Sequence, residues 1–406
     1  MATIPGPMTG PVVPRSKAVV SRQNTRDKHP QLGLWFWEID RVLLLLVTLL
    51  ISIGIIAVAA ASPAAAERYS EGTVRFDQYH YLYRQLVWVV LSVPVMLVIS
   101  TMPKERARRM ALLLACIFLF CLALVPILGS EVNGAKRWIG SGFAKFQPSE
   151  FLKPCFTVGM AWLLSLKVQD RTLPVVPLSA LLMGVIAVLL MKQPDFGQTV
   201  IFGTVWLALL LLSGVSLRIM GWLFGAGVAG VIGAYLFYDT ATRRINDFIF
   251  QTGDTYQTDM AHATLTAGGL LGTGPGGGEM KFRLPEAHTD YIFSVIGEEF
   301  GLIACLGIVL LYVAIVVRVF VKLLDEEDQF QLLAAAGLTT QFGVQAMINM
   351  AVNTQLAPSK GMTLPFISYG GSSMLALSLG FGLLLAFTRR NPYLVRSPYV
   401  FKWSGK

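Results

Sequence analysis

The segment Leu284-Pro285-Glu286-Ala287-His288-Thr289-Asp290-Tyr291-Ile292-Phe293 puts a carboxylate where a long polar stretch meets an apolar run that also carries Glu298 and Glu299. An ionised carboxylate in hydrocarbon costs ~2.5 kcal/mol or more, so this junction is the first place to look for chemistry. A structural reading competes with chemistry at Asp290. Thr289 would cap a helix there, leaving Asp290 in the first turn, where the helix dipole favours an anion. Glu298 and Glu299 must be paired, protonated or turned to a wet cavity.

A second group of candidates is cationic. Lys136 and Arg137 sit in Asn133-Gly134-Ala135-Lys136-Arg137-Trp138, and Lys153 follows Gln147-Pro148-Ser149-Glu150. Guanidinium takes phosphate bidentately and ammonium acts as a point charge, so these residues could grip a phosphate at headgroup level. The structural alternative is a set of snorkelling anchors, with Pro148 at a helix start, Ser149 as its cap and Glu150 paired with Lys153 at i,i+3. Asp195 lies in a third polar motif, Lys192-Gln193-Pro194-Asp195-Phe196-Gly197. His262 and His288 lack zinc-type spacing. The run Gly268 to Gly278 matches neither phosphate-loop pattern, which argues against a nucleotide or other organic cofactor and for a flexible loop that admits a bulky substrate.

The elements that must position these residues are membrane helices. Hydrophobic residues make up 54% of 406 positions and charged residues 14%, against about 25% charged in soluble domains, and the mean hydropathy is +0.60. The chain reads as an all-α polytopic membrane protein. Ten transmembrane helices are predicted near 42–62, 83–102, 108–128, 151–168, 173–191, 197–214, 216–238, 291–321, 332–355 and 364–388, with a large extracytoplasmic loop over 239–290 between helices 7 and 8. With both termini cytoplasmic, 20 of the 33 Lys and Arg fall inside and 13 outside, as the positive-inside rule requires. Attraction to anionic lipid accounts for the basic balance without a nucleic-acid partner. Residues 1–36 read as a disordered cytoplasmic tail, 37–390 as the membrane domain and 391–406 as a cytoplasmic C-terminal tail. Ala59 to Ala66 resembles a signal-peptidase site, but the apolar run before it is long enough for a retained anchor. The four cysteines fall in predicted spans and read as small buried hydrophobes.

Two further patterns mark the later spans. Gln341, Gln345, Asn349 and Asn353 recur every four residues, laying amides down one face of span 9 as an interhelical seam. Span 10 is entered through Pro358-Ser359-Lys360-Gly361-Met362-Thr363-Leu364-Pro365-Phe366-Ile367-Ser368-Tyr369-Gly370-Gly371-Ser372-Ser373, whose prolines and paired glycines predict a broken helix, its backbone buried or lining a cavity.

Leu284 to Gly301 and Lys360 to Ser373 together resemble the SEDS family (shape, elongation, division and sporulation). Gly134 to Trp138, Gln147 to Glu150 and Gln193 to Gly197 are similar to its motifs in the same order. The resemblance covers roughly 36–395, and Pro285 to Asp290 with Ile296 to Glu299 favours the division branch over the elongation branch. It implies a peptidoglycan glycosyltransferase that polymerises lipid II into glycan strands for septal wall synthesis at the outer face of the bacterial inner membrane. The implied partners are a class B penicillin-binding protein, an FtsI-type transpeptidase, and other divisome proteins. Asp290 takes the place of the essential loop acid, as general base or as ligand of a divalent cation, Mg or Mn. Lys136, Arg137, Lys153, Glu150, Asp195, His288, Ser368 and Ser372 are the candidate substrate contacts. Glu298 and Glu299 become polar support for span 8 against Gln345, Asn349 and Asn353. A lipid II flippase and a scaffold for the transpeptidase are the alternatives from other functional classes.

Overall fold

The computed structural model describes residues 31–70, 75–132, 135–142, 145–170, 172–250, 256–358 and 361–389. Most of both predicted tails, together with Asn133, Gly134, Ser359 and Lys360, lies outside them. The apolar stretch within Gln31–Glu38 forms helix α1. Each of the ten predicted runs in the body of the chain contains a helix, the last of them, 364–388, only from Gly371 onward. These are α2 (Arg41–Arg68), α3 (His80–Thr101), α4 (Lys104–Leu128), α5 (Pro148–Gln169), α6 (Val175–Met191), α7 (Phe196–Leu212), α8 (Leu217–Phe237), α11 (Ile292–Leu323), α12 (Gln329–Asn353) and α13 (Gly371–Thr388). The short separation after Leu212 is real: Gly214 turns at φ 71° before α8 begins.

Six of these helices, α2, α3, α4, α8, α11 and α13, are long and apolar enough to cross a membrane. The apolar α6 and α7 have 17 residues each, about 25 Å at 1.5 Å per residue. Buried polar side chains lower the hydropathy of α5 and α12. The protein is a polytopic membrane protein built around α5, α11, α12 and α13; α12 packs on α5, α7 and α11, while α13 packs on α3 and α5. No residue of α8 is buried, and its neighbours are α7 and α9. Cys155 and Cys305 are buried as expected, but Cys116 is exposed on α4.

The long connection after α8 is not an open loop. It contains α9 (Asp239–Phe250), α10 (Tyr256–Ala267) and a 3-10 turn at Met280–Phe282. The expectation that its glycine-rich run is flexible and admits substrate is corrected by packing. Gly272 takes φ 82°, and a Cβ there would overlap the carbonyl of Glu299. The run instead splints a break in α11 at Gly301, where φ is 78° and ψ is 178°. Leu302 and Ile303 donate their amides to the carbonyls of Gly269 (3.0 Å) and Leu270 (3.3 Å). In return Thr273 and Gly274 donate to the carbonyls of Glu298 (2.8 Å) and Glu299 (3.0 Å). A helix broken at membrane depth needs such replacement partners, because lipid supplies none.

The second break falls where the sequence puts it. Residues 361–370 are non-helical, with Phe366 at φ 63°, and α13 starts at Gly371. The Ser368 hydroxyl accepts the Leu364 amide at 2.7 Å and closes this turn.

Candidate active site

Asp290 lies in the turn just before α11, whose N-cap is Tyr291 with no side-chain cap bond. Thr289 bonds Glu286 instead, its hydroxyl 2.8 Å from Oε2, so Asp290 is not a first-turn residue capped by Thr289. Two amides of α12 grip its backbone: Asn349 Nδ2 and Asn353 Nδ2 donate to the Asp290 carbonyl at 2.8 and 3.1 Å. The same Asn349 reaches the Met362 carbonyl at 2.6 Å, and Asn353 Oδ1 accepts from Ser294 Oγ at 2.8 Å. The four-residue amide spacing thus ties the Asp290 turn, the start of α11 and the broken entry to α13 to one helix. Across the gap, a Cβ on Gly361 would stand 3.2 Å from Asp290 Oδ2.

No hydrogen bond from a described side chain reaches the Asp290 carboxylate. Burial first, then the charges of Glu286 and Glu150, raise its pKa from 3.8 to about 7, with Arg137 opposing. A carboxyl so placed exchanges its proton near neutrality, as a general base requires.

His288, two residues earlier, is buried among Tyr69, Tyr81 and Tyr369, with ring centroids 6.0, 4.2 and 5.3 Å away. Burial lowers its pKa to about 4, so the imidazole is neutral at physiological pH. Its carbonyl accepts the Tyr369 amide at 2.9 Å, which docks the broken segment onto the turn.

A buried charged cluster lies close enough to act on Asp290 electrostatically. Lys153 Nζ is 2.9 Å from Glu150 Oε2 and 2.9 Å from Gln345 Oε1. Gln198 Nε2 donates to Glu150 Oε1 at 2.6 Å, and Gln147 Nε2 to Asp195 Oδ2 at 3.1 Å. Pro148 does open α5, but Gln147 occupies the N-cap position and the Ser149 hydroxyl makes no cap bond. Asp195 is the cap of α7. Lys136 and Arg137 sit on strand β2 (Ala135–Trp138), which pairs antiparallel with β1 (Ser130–Val132). Lys136 is exposed, while Arg137 Nε and Nη2 donate to the carbonyls of Gln193 and Pro194 at 3.2 and 2.5 Å. Beside this cluster is a cavity of about 380 Å³ walled by Trp88, Phe118, Phe146 and Phe151, with Lys145 and Ser372 also in its lining. Ser372 therefore faces that cavity and Ser368 serves its own turn; neither joins Asp290.

A family model described as "Cell cycle protein", FtsW/RodA/SpoVE, matches residues 40–393. The chain belongs to this family. It is 38% identical over 368 residues to a protein named probable peptidoglycan glycosyltransferase FtsW from Caulobacter vibrioides, covering 90% of this chain and 93% of that one. A protein of the same name from Trichlorobacter lovleyi is 37% identical over 366 residues, covering 86% and 92%. Among solved structures, a chain of a peptidoglycan synthase complex superposes with a TM-score of 0.70 at 26% identity, covering 87% and 98%. The rod shape determining protein RodA of Thermus thermophilus gives 0.63 at 26% identity over the same shares.

Within this family framework, the expected support of Glu298 and Glu299 against the α12 amides is corrected. Those amides are committed to Lys153, Thr363, Asp290, Met362 and Ser294. Glu298 instead accepts the backbone amides of Met280 (2.7 Å) and Lys281 (3.0 Å), and Glu299 forms a buried ion pair with Lys281. Lys281 Nζ also reaches the Ala60 carbonyl of α2 at 3.0 Å. Both carboxylates thus face the 3-10 turn, on the side of α11 where the glycine-rich run also docks.

Among the described residues no three His, Cys, Asp or Glu side chains converge as metal ligands. Glu286, whose charge acts most strongly on Asp290, already accepts from Tyr69 and Thr289. Of the two carboxylates in this turn, Asp290 is therefore the one that accepts no hydrogen bond from a described side chain. Sequence reasoning missed Gln198, Lys281, Glu286 and the three tyrosines. Of these, Lys281 alone carried a visible signal, a lysine set between Met280 and Phe282.

Proposed function

We propose that this chain is an inverting peptidoglycan glycosyltransferase that polymerises lipid II during septal wall synthesis, together with a class B penicillin-binding transpeptidase. The names of the relatives and the peptidoglycan synthase complex among the structural neighbours support that reading. In it, the bundle crosses the membrane ten times with both termini cytoplasmic, and the Asp290 turn faces outward, where lipid II is consumed.

The observation that carries the reading is Asp290 itself: a carboxyl on a backbone gripped by two α12 amides, with no hydrogen bond from a described side chain, whose pKa is raised to about 7. Forming a β-1,4 link from an α-linked donor requires in-line attack by the acceptor 4-hydroxyl on C1 of the donor sugar. Asp290 removes the hydroxyl proton as the new C–O bond forms and undecaprenyl pyrophosphate leaves. Exposed Lys136 and the guanidinium donors of Arg137 not held by Gln193 and Pro194 offer positive charge to that leaving group. Lys153, neutralised by Glu150, organises the floor of the site rather than the phosphate. The aromatic cavity offers apolar surface to the polyprenyl chain.

The pH profile tests the base. Asp290 works ionised and burial raises its pKa, so kcat/KM for lipid II is expected to rise with pH through about 7 and to fall below it. An acid limb near the ordinary value of 3.8 would contradict the assignment.

A further inference from the structure

We propose that Glu286 is a positioning residue for this reaction, acting through the turn that aims Asp290; the inference rests on the glycosyltransferase reading above. Glu286 occupies φ 52°, the left-handed region that a side chain other than Gly, Asn or Asp rarely takes. Such a conformation persists when surrounding bonds over-determine it. Here they do. Tyr69 Oη, just past the end of α2, donates to Oε1 at 2.8 Å, and Thr289 Oγ1 donates to Oε2 at 2.8 Å. The Glu286 carbonyl accepts the amides of Thr289 (3.1 Å) and Tyr291 (3.3 Å), so its backbone and side chain together enclose the residue they serve.

The turn is thus clamped from two sides. On one side Asn349 and Asn353 of α12 hold the Asp290 carbonyl. On the other the Tyr69–Glu286 bond is reinforced by Arg68 and Tyr256, which both donate to the Arg283 carbonyl, at 3.4 and 3.1 Å. With the backbone of Asp290 fixed by α12, the direction of its carboxylate depends on the four-residue arc that Glu286 begins. Releasing the Tyr69 side lets that arc swing while the fold and the cavity remain.

The test uses the full-length protein with its transpeptidase partner and lipid II, well above the pH at which Asp290 ionises. Glu286→Gly adopts φ 52° without strain and removes only the side-chain bonds. It is expected to lose on the order of 10²-fold in kcat, the cost of a misplacement near 1 Å, with KM for lipid II within about twofold. Glu286→Gln keeps an acceptor for Tyr69 and a donor for Thr289, and is expected to stay within about threefold of native turnover. Tyr69→Phe, which removes one hydroxyl and leaves the ring in place, falls between them. Native turnover in Glu286→Gly, a loss expressed in KM, or Glu286→Gln as impaired as Glu286→Gly would each overturn the positioning role. Asp290→Asn run in parallel separates the two claims. Activity retained there overturns the functional reading, whereas an inactive Asp290→Asn beside a fully active Glu286→Gly overturns the role of Glu286 alone.

Discussion

Asp290→Asn is expected to give a folded, inserted protein that binds its partner and makes no glycan strands. The substitution keeps the shape of the side chain, and the α12 amides that fix this turn hold the backbone carbonyl, which is unchanged. The sign of the stability effect follows from the raised pKa. A carboxyl whose folded pKa lies above its unfolded value contributes stability below the unfolded value and loses it as pH rises through the folded one, about 7 here. At higher pH the native protein carries an ionised Asp290 near Glu286 and Glu150, so a neutral amide is neutral to stabilising. The chemistry has no such tolerance. Removing a general base typically costs ~10²–10⁴-fold, and an amide cannot take the proton of the attacking hydroxyl. Thermal unfolding and partner co-purification check the first half of this expectation, and strand synthesis checks the second.

The second large effect concerns stability. Lys281 and Glu299 are buried together, their side chains 2% and 0% exposed. Lys281→Met strands the Glu299 carboxylate and removes the bond to the Ala60 carbonyl, and breaking one side of a buried pair costs about 3–5 kcal/mol. Because the pair fastens the 3-10 turn to both α2 and α11, the expected result is aggregated or degraded protein on size-exclusion chromatography. Lys281→Met with Glu299→Leu removes both charges and is expected to recover most of the folded yield. A monodisperse single variant as stable as native would show that the pair contributes little.

Much of the architecture was legible because a membrane leaves few options. Apolar runs of sufficient length had to be helices, and each of the ten contains one. The four-residue spacing of Gln341 to Asn353 announced a polar face on α12, and the prolines and glycines before Ser372 announced a broken entry to α13. Partners were not legible. Glu298 and Glu299 looked equally suited to the α12 amides, since spacing along one helix says which side chains share a face and nothing about what covers it. The pairs that decide the matter join residues far apart in the chain: Ala60 with Lys281 and Tyr69 with Glu286. The break at Gly301 was hidden for a related reason. A single glycine in an apolar run is tolerated in membrane helices, and what makes this one a break is the glycine-rich run docked against it.

Lys153 departs furthest from what its sequence setting suggested. As a cation near a predicted membrane surface it was a candidate phosphate ligand. Held by Glu150 and Gln345, it becomes the centre of a neutral polar layer joining α5 to α12.

The most direct test supplies lipid II in detergent, without a membrane barrier, to the purified protein with its transpeptidase partner, and sizes the glycan product on a gel. The account predicts polymer from the native complex and none from Asp290→Asn at equal loading. Polymer from both would remove Asp290 from the chemistry, and no polymer from the native complex, beside lipid II translocation in vesicles, would make the protein a transporter.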